Sequence, residues 1–244
     1  MERVIDERPG FLPLYRQVYD FMVKQLTNGV WKAGEALPSE QVLAAQLGVS
    51  QGTVRKALDV LAQEQLLDRH QGRGTFVSTL TQERSLFRFF RLRREAGGDF
   101  GIPTSEDEKI TRRPATEREA EVLQIARRAP VYEIKRTRLL DGAPIVFETV
   151  IAPASRYPGL DRLGRLPNAL YQLYQHQYGV NVVGADEELR ADLASPEDRQ
   201  RLGLEEGAPI LQIRRIALAL DGGRAEIRIS RCDTRRFVYA VSIR

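Results

Sequence analysis

The chain has 244 residues, with 37 Lys+Arg against 33 Asp+Glu and a net charge of +4. At 42% hydrophobic residues it is too apolar to be disordered and long enough to bury a core in one or two domains. No apolar run approaches the ~18 residues of a membrane span. No signal peptide is expected, since no apolar segment follows Met1-Glu2-Arg3, and two His are too few for a His-rich metal site. The single Cys232 cannot form an intrachain disulfide, so a reducing compartment, the cytoplasm, is expected, with no cofactor.

Residues 1–78 read as three helices and a hairpin. Pro13 stands where a helix can start, and Leu14, Val18, Phe21, Met22 and Leu26 recur at helical spacing until Asn28-Gly29. Ser39 is the N-cap expected for a second helix, with Val42, Leu43 and Leu47 as its apolar face and Gly48 as its stop. Ser50 caps a third helix, whose buried stripe is Val54, Leu58 and Leu61. Short strands at Leu66–Arg69 and Thr75–Val77 flank the tip His70-Gln71-Gly72-Arg73-Gly74.

Two helices joined by a short Gly-containing turn and followed by a hairpin describe a winged helix-turn-helix, whose second helix enters the major groove by its first turn. The buried stripe leaves Gln51, Gly52, Thr53, Arg55 and Lys56 on the open side of the third helix. Gln and Arg can read base edges with two hydrogen bonds each, Ser50 and Thr53 can hold phosphate, and Gly52 lets the backbone approach closely. Net charge does not carry this reading. Residues 1–78 hold nine basic and nine acidic residues, so the expectation rests on where the cations are placed, with the acids turned elsewhere.

The motifs Leu37-Pro38-Ser39-Glu40, Leu47-Gly48-Val49-Ser50, Thr53-Val54-Arg55-Lys56-Ala57-Leu58 and Gln71-Gly72-Arg73-Gly74-Thr75-Phe76-Val77 resemble the GntR family of bacterial transcription regulators. The resemblance implies operator contacts from Ser39, Gln41, Ser50, Gln51, Gly52, Thr53, Arg55 and Lys56, and from Gln71, Gly72 and Arg73 at the wing tip. Many members carry Arg where this chain has Gln41 and Gln51, so the operator sequence does not transfer from relatives.

Residues 79–104 read as an interdomain linker. Phe87, Phe89 and Phe90 interleave with Arg there and are expected in a strand or short helix at the junction, rather than on a nucleic-acid stacking surface. Gly97-Gly98 and Gly101-Ile102-Pro103 suit a hinge.

Residues 105–244 contain an internal duplication at an offset of 79 or 80. Thr116 to Ile125 and Ser195 to Leu204 are capped helices; Ala129 to Arg136 and Ala208 to Arg215 are strands; Asp141-Gly142 and Asp221-Gly222 are turns into Ile145–Ile151 and Ala225–Cys232. A helix opening at Pro167-Asn168 lies between the repeats, and Phe237, Tyr239, Val241 and Ile243 alternate as a last strand. The expected fold is α+β on an antiparallel sheet.

Strand alternation puts Arg136 and Arg138 on one apolar face, where each guanidinium needs a carboxylate or a bound anion. Glu148 on the next strand is the candidate internal partner. Arg136 recurs in the second repeat as Arg215, whereas Arg138 is replaced by Ala217, which tilts Arg138 toward a ligand; solvation of both at a sheet edge is the other reading.

From about Glu106 onward the chain resembles the UTRA effector domain of HutC-type GntR regulators, similar in fold to chorismate lyase. The resemblance implies that Arg136 and Arg138 grip an acidic effector, a carboxylate or a phosphate, in a cavity lined by Glu148, Tyr171, Glu226 and Arg228. The family often has Ser where Ala169 stands. The expected protein is a homodimeric, non-membrane regulator, a repressor by resemblance, binding double-stranded operator DNA. The alternative is an enzyme on the lyase-like domain, against which no nucleophile–base pair has readable spacing.

Overall fold

A computed structural model describes residues 12–94 and 102–241. The chain divides into two compact units, Met1–Thr79 and Leu80–Arg244.

In the first unit, α1 (Leu14–Thr27) and α2 (Glu40–Leu47) pack on α3 (Gln51–Gln63). Val18, Met22, Leu26, Leu43, Val54, Ala57, Leu58 and Leu61 form the core. Ser39 Oγ accepts from Val42 N–H and Ser50 Oγ from Thr53 N–H, so both helices start at side-chain caps. Gly48 takes the left-handed conformation at φ 68°, which only Gly adopts without strain, and turns the chain sharply from α2 into α3. Val42 lies 46% exposed, and Ala44 takes the inward place expected for it. Strands β1 (Leu67–His70) and β2 (Gly74–Val77) pair antiparallel, Leu67 opposite Val77. The hairpin is pinned from its other side: Val77 N–H donates to Glu35 O and Leu37 N–H to Thr75 O.

The second unit begins with α4 (Gln82–Phe89) and β3 (Leu92–Arg94). Much of the segment expected as linker is therefore folded into this unit. Phe89 packs edge-on against Tyr171, and Phe90 packs against the cluster of Leu92, Val146, Cys232 and Phe237. Burial of these rings outweighs the polar residues between them. The Gly97-Gly98 hinge lies outside the described residues.

The six-stranded sheet is made of β4 (Thr104–Pro114), β5 (Pro130–Leu140), β6 (Ala143–Pro153), β7 (Val182–Leu193), β8 (Pro209–Ala219) and β9 (Arg224–Asp233). Its order is β4-β5-β6-β9-β8-β7, all antiparallel. This order is a palindrome of the two repeats. Thr149 lies opposite Ile229, its own counterpart 80 positions on, so a pseudo-two-fold axis passes between them. Helices α5 (Glu117–Leu123) and α7 (Pro196–Leu202), each with a capping box, cover one face. Helix α6 (Leu170–Tyr178) packs on the other, around Tyr132, Ile134, Val150, Tyr157 and Tyr174. The last strand, β10 (Phe237–Tyr239), pairs with β3 rather than joining this sheet, and Val241 lies beyond it, 55% exposed.

Candidate DNA interface and effector cavity

The first unit presents the outer side of α3 and the tip of the β1–β2 hairpin. Gln51, Gly52, Arg55 and Lys56 are exposed on α3, as are Gln41 on α2 and Gln71, Gly72 and Arg73 at the hairpin tip. Gly72 turns the tip at φ 73°. A Cβ at Gly52 would meet only Ser50 Oγ, at 3.8 Å, so the fold itself does not demand glycine there. The hydroxyls of Ser39 and Ser50 are engaged as caps, and Thr53 Oγ1 lies 2.9 Å from Ser50 Oγ.

An acid sits among these cations, contrary to the expectation that the acids turn away. Glu40 Oε2 accepts from Arg55 Nε at 3.0 Å, Arg55 Nη2 at 2.8 Å and Gln51 Nε2 at 3.2 Å. Its Oε1 pairs with Arg69, which also pairs with Asp59. The hydrogen bond from Arg55 is the main reason the Glu40 carboxyl is held below its ordinary pKa. Arg55 keeps 58% of its side chain exposed within this pair. Lys56 lies over the ring of Tyr15, 4.1 Å from its centroid. Glu40 is legible in the sequence only as part of a motif, and Arg69 only as one of the cations placed for DNA beside Arg55, Lys56 and Arg73, because α2, α3 and β1 have to be brought together before the two can meet.

In the second unit, the α6 face of the sheet carries three buried arginines, Arg136, Arg138 and Arg215, and a nearly buried one, Arg228. Arg136 pairs with Glu148 and lies 3.3 Å from Asn168 O. Arg228 donates from Nε to Glu226 Oε1 at 2.7 Å and lies 3.5 Å from Glu148 Oε2. Arg215 donates from Nε to Glu187 Oε1 at 2.6 Å. Glu226 is fully buried and also accepts from Tyr171 Oη at 3.0 Å and Tyr174 Oη at 2.8 Å. Burial and the Glu226 charge push the Tyr171 hydroxyl up to about 12. Burial alone would raise Glu148, but Arg136, Arg228 and Arg138 together hold it well below the usual carboxylate range. Glu148 and Arg228 are counterparts across the duplication, so the pseudo-symmetry brings opposite charges together beside the axis.

Arg138 differs from the other three. Its Nη1 donates to Asn168 O at 3.0 Å and lies 3.7 Å from Glu148 Oε1, which is already engaged by Arg136. Its Nε and Nη2 are buried with no hydrogen-bond partner among the described residues. Burial, with Arg136 beside it, lowers its pKa to about 9, so it is still charged at neutral pH. It lines a cavity of about 50 Å³ together with Glu148, Ala169, Tyr171, Arg228 and Cys232. Arg136 and Glu226 are not in that wall; they hold residues that are. Arg215, which the sequence marks only as the counterpart of Arg136 in the second repeat, is part of the lining. Ala169 N-caps α6 with no side-chain hydrogen bond, so no hydroxyl stands at that point of the wall.

Comparison with known proteins assigns both units. The family described as bacterial regulatory proteins, gntR family, matches residues 14–77, and the UTRA domain family matches residues 101–238. The chain is 30% identical over 220 residues to the HTH-type transcriptional regulator SmoD of Agrobacterium fabrum, covering 89% of this chain and 91% of that protein. It is 29% identical to the HTH-type transcriptional repressor NagR of Bacillus subtilis, covering 86% of each. Among solved structures, the ligand-binding domain of a GntR-family regulator from Bordetella bronchiseptica is similar, with 31% identity and a TM-score of 0.61, covering 64% of this chain and 98% of that one. PhnF from Mycobacterium smegmatis shares the fold over 93% of this chain and 99% of its own, with a TM-score of 0.56 at 23% identity. SmoD, NagR and the Bordetella protein are named as regulators, not enzymes, and the lyase-like reading falls away.

Proposed function

The chain belongs to the GntR family and is a DNA-binding transcription regulator with a UTRA domain; from that premise we propose that it is a cytoplasmic repressor released from its operator by a small acidic effector. Two copies related by a two-fold axis set two α3 helices on the half-sites of a near-palindromic operator. Gln51, Gly52, Thr53 and Arg55 meet base edges and phosphates, with the wing tip Gln71-Gly72-Arg73 beside them.

The observation that carries the effector reading is Arg138. A buried guanidinium with two unpartnered nitrogens, facing a cavity, costs stability until an anion completes it. A carboxylate or phosphate meets both nitrogens in a fork geometry. With Ala169 in the wall, one hydroxyl donor for a phosphate is lacking. The effector controls DNA binding by favouring one arrangement of the dimer over another, through unequal affinity for the two.

The test begins with native mass spectrometry of freshly purified protein, looking for a co-purified small acid. Anisotropy titrations on the upstream DNA of its own operon follow, with and without carboxylate and phosphate metabolites. Tight binding that an acidic metabolite releases is expected. Operator binding that no acid in the panel alters, together with protein that carries none, would overturn the effector reading.

A further inference from the structure

The effector cavity offers hydrogen-bond donors but few acceptors. Glu148 is the one acid among the described residues of its wall, and it is held among three guanidiniums. Its Oε1 accepts from Arg136 Nε and lies 3.7 Å from Arg138 Nη1, and its Oε2 lies 3.5 Å from Arg228 Nη1. Asn168 spends its side-chain oxygen on Ser105 and its backbone oxygen on Arg136 and Arg138. Tyr171 and Tyr239 give their phenol protons to Glu226 and Glu187. A polyol needs an acceptor for each of its hydroxyls. It would find no uncommitted side-chain carboxylate or amide oxygen among the described residues here.

Most of the rest of the wall is apolar: Phe89, Phe90, Leu92, Val146, Leu170 and Ile213. Cys232 adds a neutral thiol, since burial pushes its pKa up. Three rings cover arginine faces. Phe90 lies 6.0 Å from Arg138, Phe89 5.7 Å from Arg215 and Tyr171 5.0 Å from Arg228. Arg138 is thus left to donate in its own plane. Its free Nε and Nη2 are the two donors of one guanidinium edge, spaced to match the two oxygens of a carboxylate. A phosphate brings further charged oxygens, for which this apolar wall has little use.

Charge and size narrow the ligand further. The guanidiniums of Arg136, Arg138, Arg215 and Arg228 meet the carboxylates of Glu148, Glu187 and Glu226, four against three. One positive charge is left over, at Arg138. Arg91 also lines the cavity, but it is only half-buried, so water can serve it. The space is about 50 Å³, a third of the ~150 Å³ that takes a benzene. The body behind the acid is therefore a few carbons in size.

We propose that the effector is a short monocarboxylate with an apolar body, its two oxygens on the free edge of Arg138 and its carbons against Val146, Ile213 and the Phe89-Phe90 rings. This rests on the acidic effector of the preceding reading and names its class.

The test is calorimetric titration of the full, exhaustively dialysed chain with isobutyrate, isovalerate, gluconate, succinate and glucose 6-phosphate. Isobutyrate or isovalerate is expected to bind at one per chain, at least ten-fold tighter than each of the other three. Arg138→Met, melted alongside to show that it folds, is expected to bind it at least ten-fold more weakly than wild type. Should that variant fail to fold, Arg138→Lys, which keeps the charge and loses the fork, is read in its place. Gluconate or glucose 6-phosphate binding within ten-fold of the better short acid overturns the apolar body, and succinate doing so overturns the single charge. Either leaves an acid at Arg138 standing. Binding by none of the five, or binding that the Arg138 variants do not weaken, overturns the acid site itself and this inference with it.

Discussion

The two units use one chemical device in two media. In each, a glutamate holds a group of arginines: Glu40 holds Arg55 and Arg69, and Glu148 holds Arg136 with Arg138 and Arg228 close by. At the DNA-binding end the device is wet, with the Arg55 side chain 58% exposed; in the cavity it is dry, with the Arg138 side chain 2% exposed. Solvent screens the first pair, so a DNA phosphate or base can compete for Arg55. In the interior, removing one partner strands a charge at a cost of several kcal/mol. The wet cluster can exchange partners, while the dry one can only be completed.

The largest effect is expected where the dry cluster loses its anion. Glu148→Gln leaves Arg136, Arg138 and Arg228 mutually repelling in a buried site. A loss of about 3–5 kcal/mol of unfolding free energy in urea is expected. A loss under 1 kcal/mol would mean that water reaches the cluster, and the contrast between the two units would vanish.

Arg138→Met separates stability from response. The depressed pKa means that the folded state binds this proton less tightly than the unfolded chain. The resulting cost is full at neutral pH and shrinks only as pH rises above about 9. Removing the charge is therefore expected to leave the unfolding free energy unchanged or raised by about 1 kcal/mol. Effector binding is expected to weaken by about 2–5 kcal/mol, with operator affinity intact. Effector-induced release that survives in this variant would put the site elsewhere.

Much of this contrast could be read from the residues. The capped helices, the Asp-Gly turns and the repeat offset follow from local chemistry, and so does the suspicion that Arg136 and Arg138 needed partners. The edge strands could not be read in the same way. The Thr104–Pro114 stretch is dense in charge, and residues 188–193 are exposed on both faces, so neither shows the alternation that marks a strand with one buried face. The segment after residue 79 has the polar composition of a linker, and Phe89 and Phe90 find a core only once α6 and the sheet exist. The Glu40 network joins three elements at sequence separations of 15 and 29, a distance that local pattern does not span.

On the wet side, Arg55→Ala is expected to weaken operator binding by ~1–3 kcal/mol if the side chain reads a base. It should leave the fold untouched, because its partner Glu40 keeps Arg69. Unchanged operator affinity in a gel-shift titration would remove Arg55 from the interface.

The smallest effect, and the sharpest for the comparison, is Glu40→Gln. Folding stability is expected to fall by no more than about 1 kcal/mol, since Asp59 still holds Arg69 and the Arg55 pair is exposed. Freed from its carboxylate, Arg55 gains a phosphate. Nonspecific duplex binding should tighten, and the slope of log K against log salt should steepen by about one. Discrimination between operator and random DNA should drop in step, because the carboxylate that weakens Arg55 as a charge also aims it. A variant with an unchanged salt slope and unchanged discrimination would show that Glu40 neither restrains nor aims Arg55, and that the wet pair is a surface contact without a part in reading DNA.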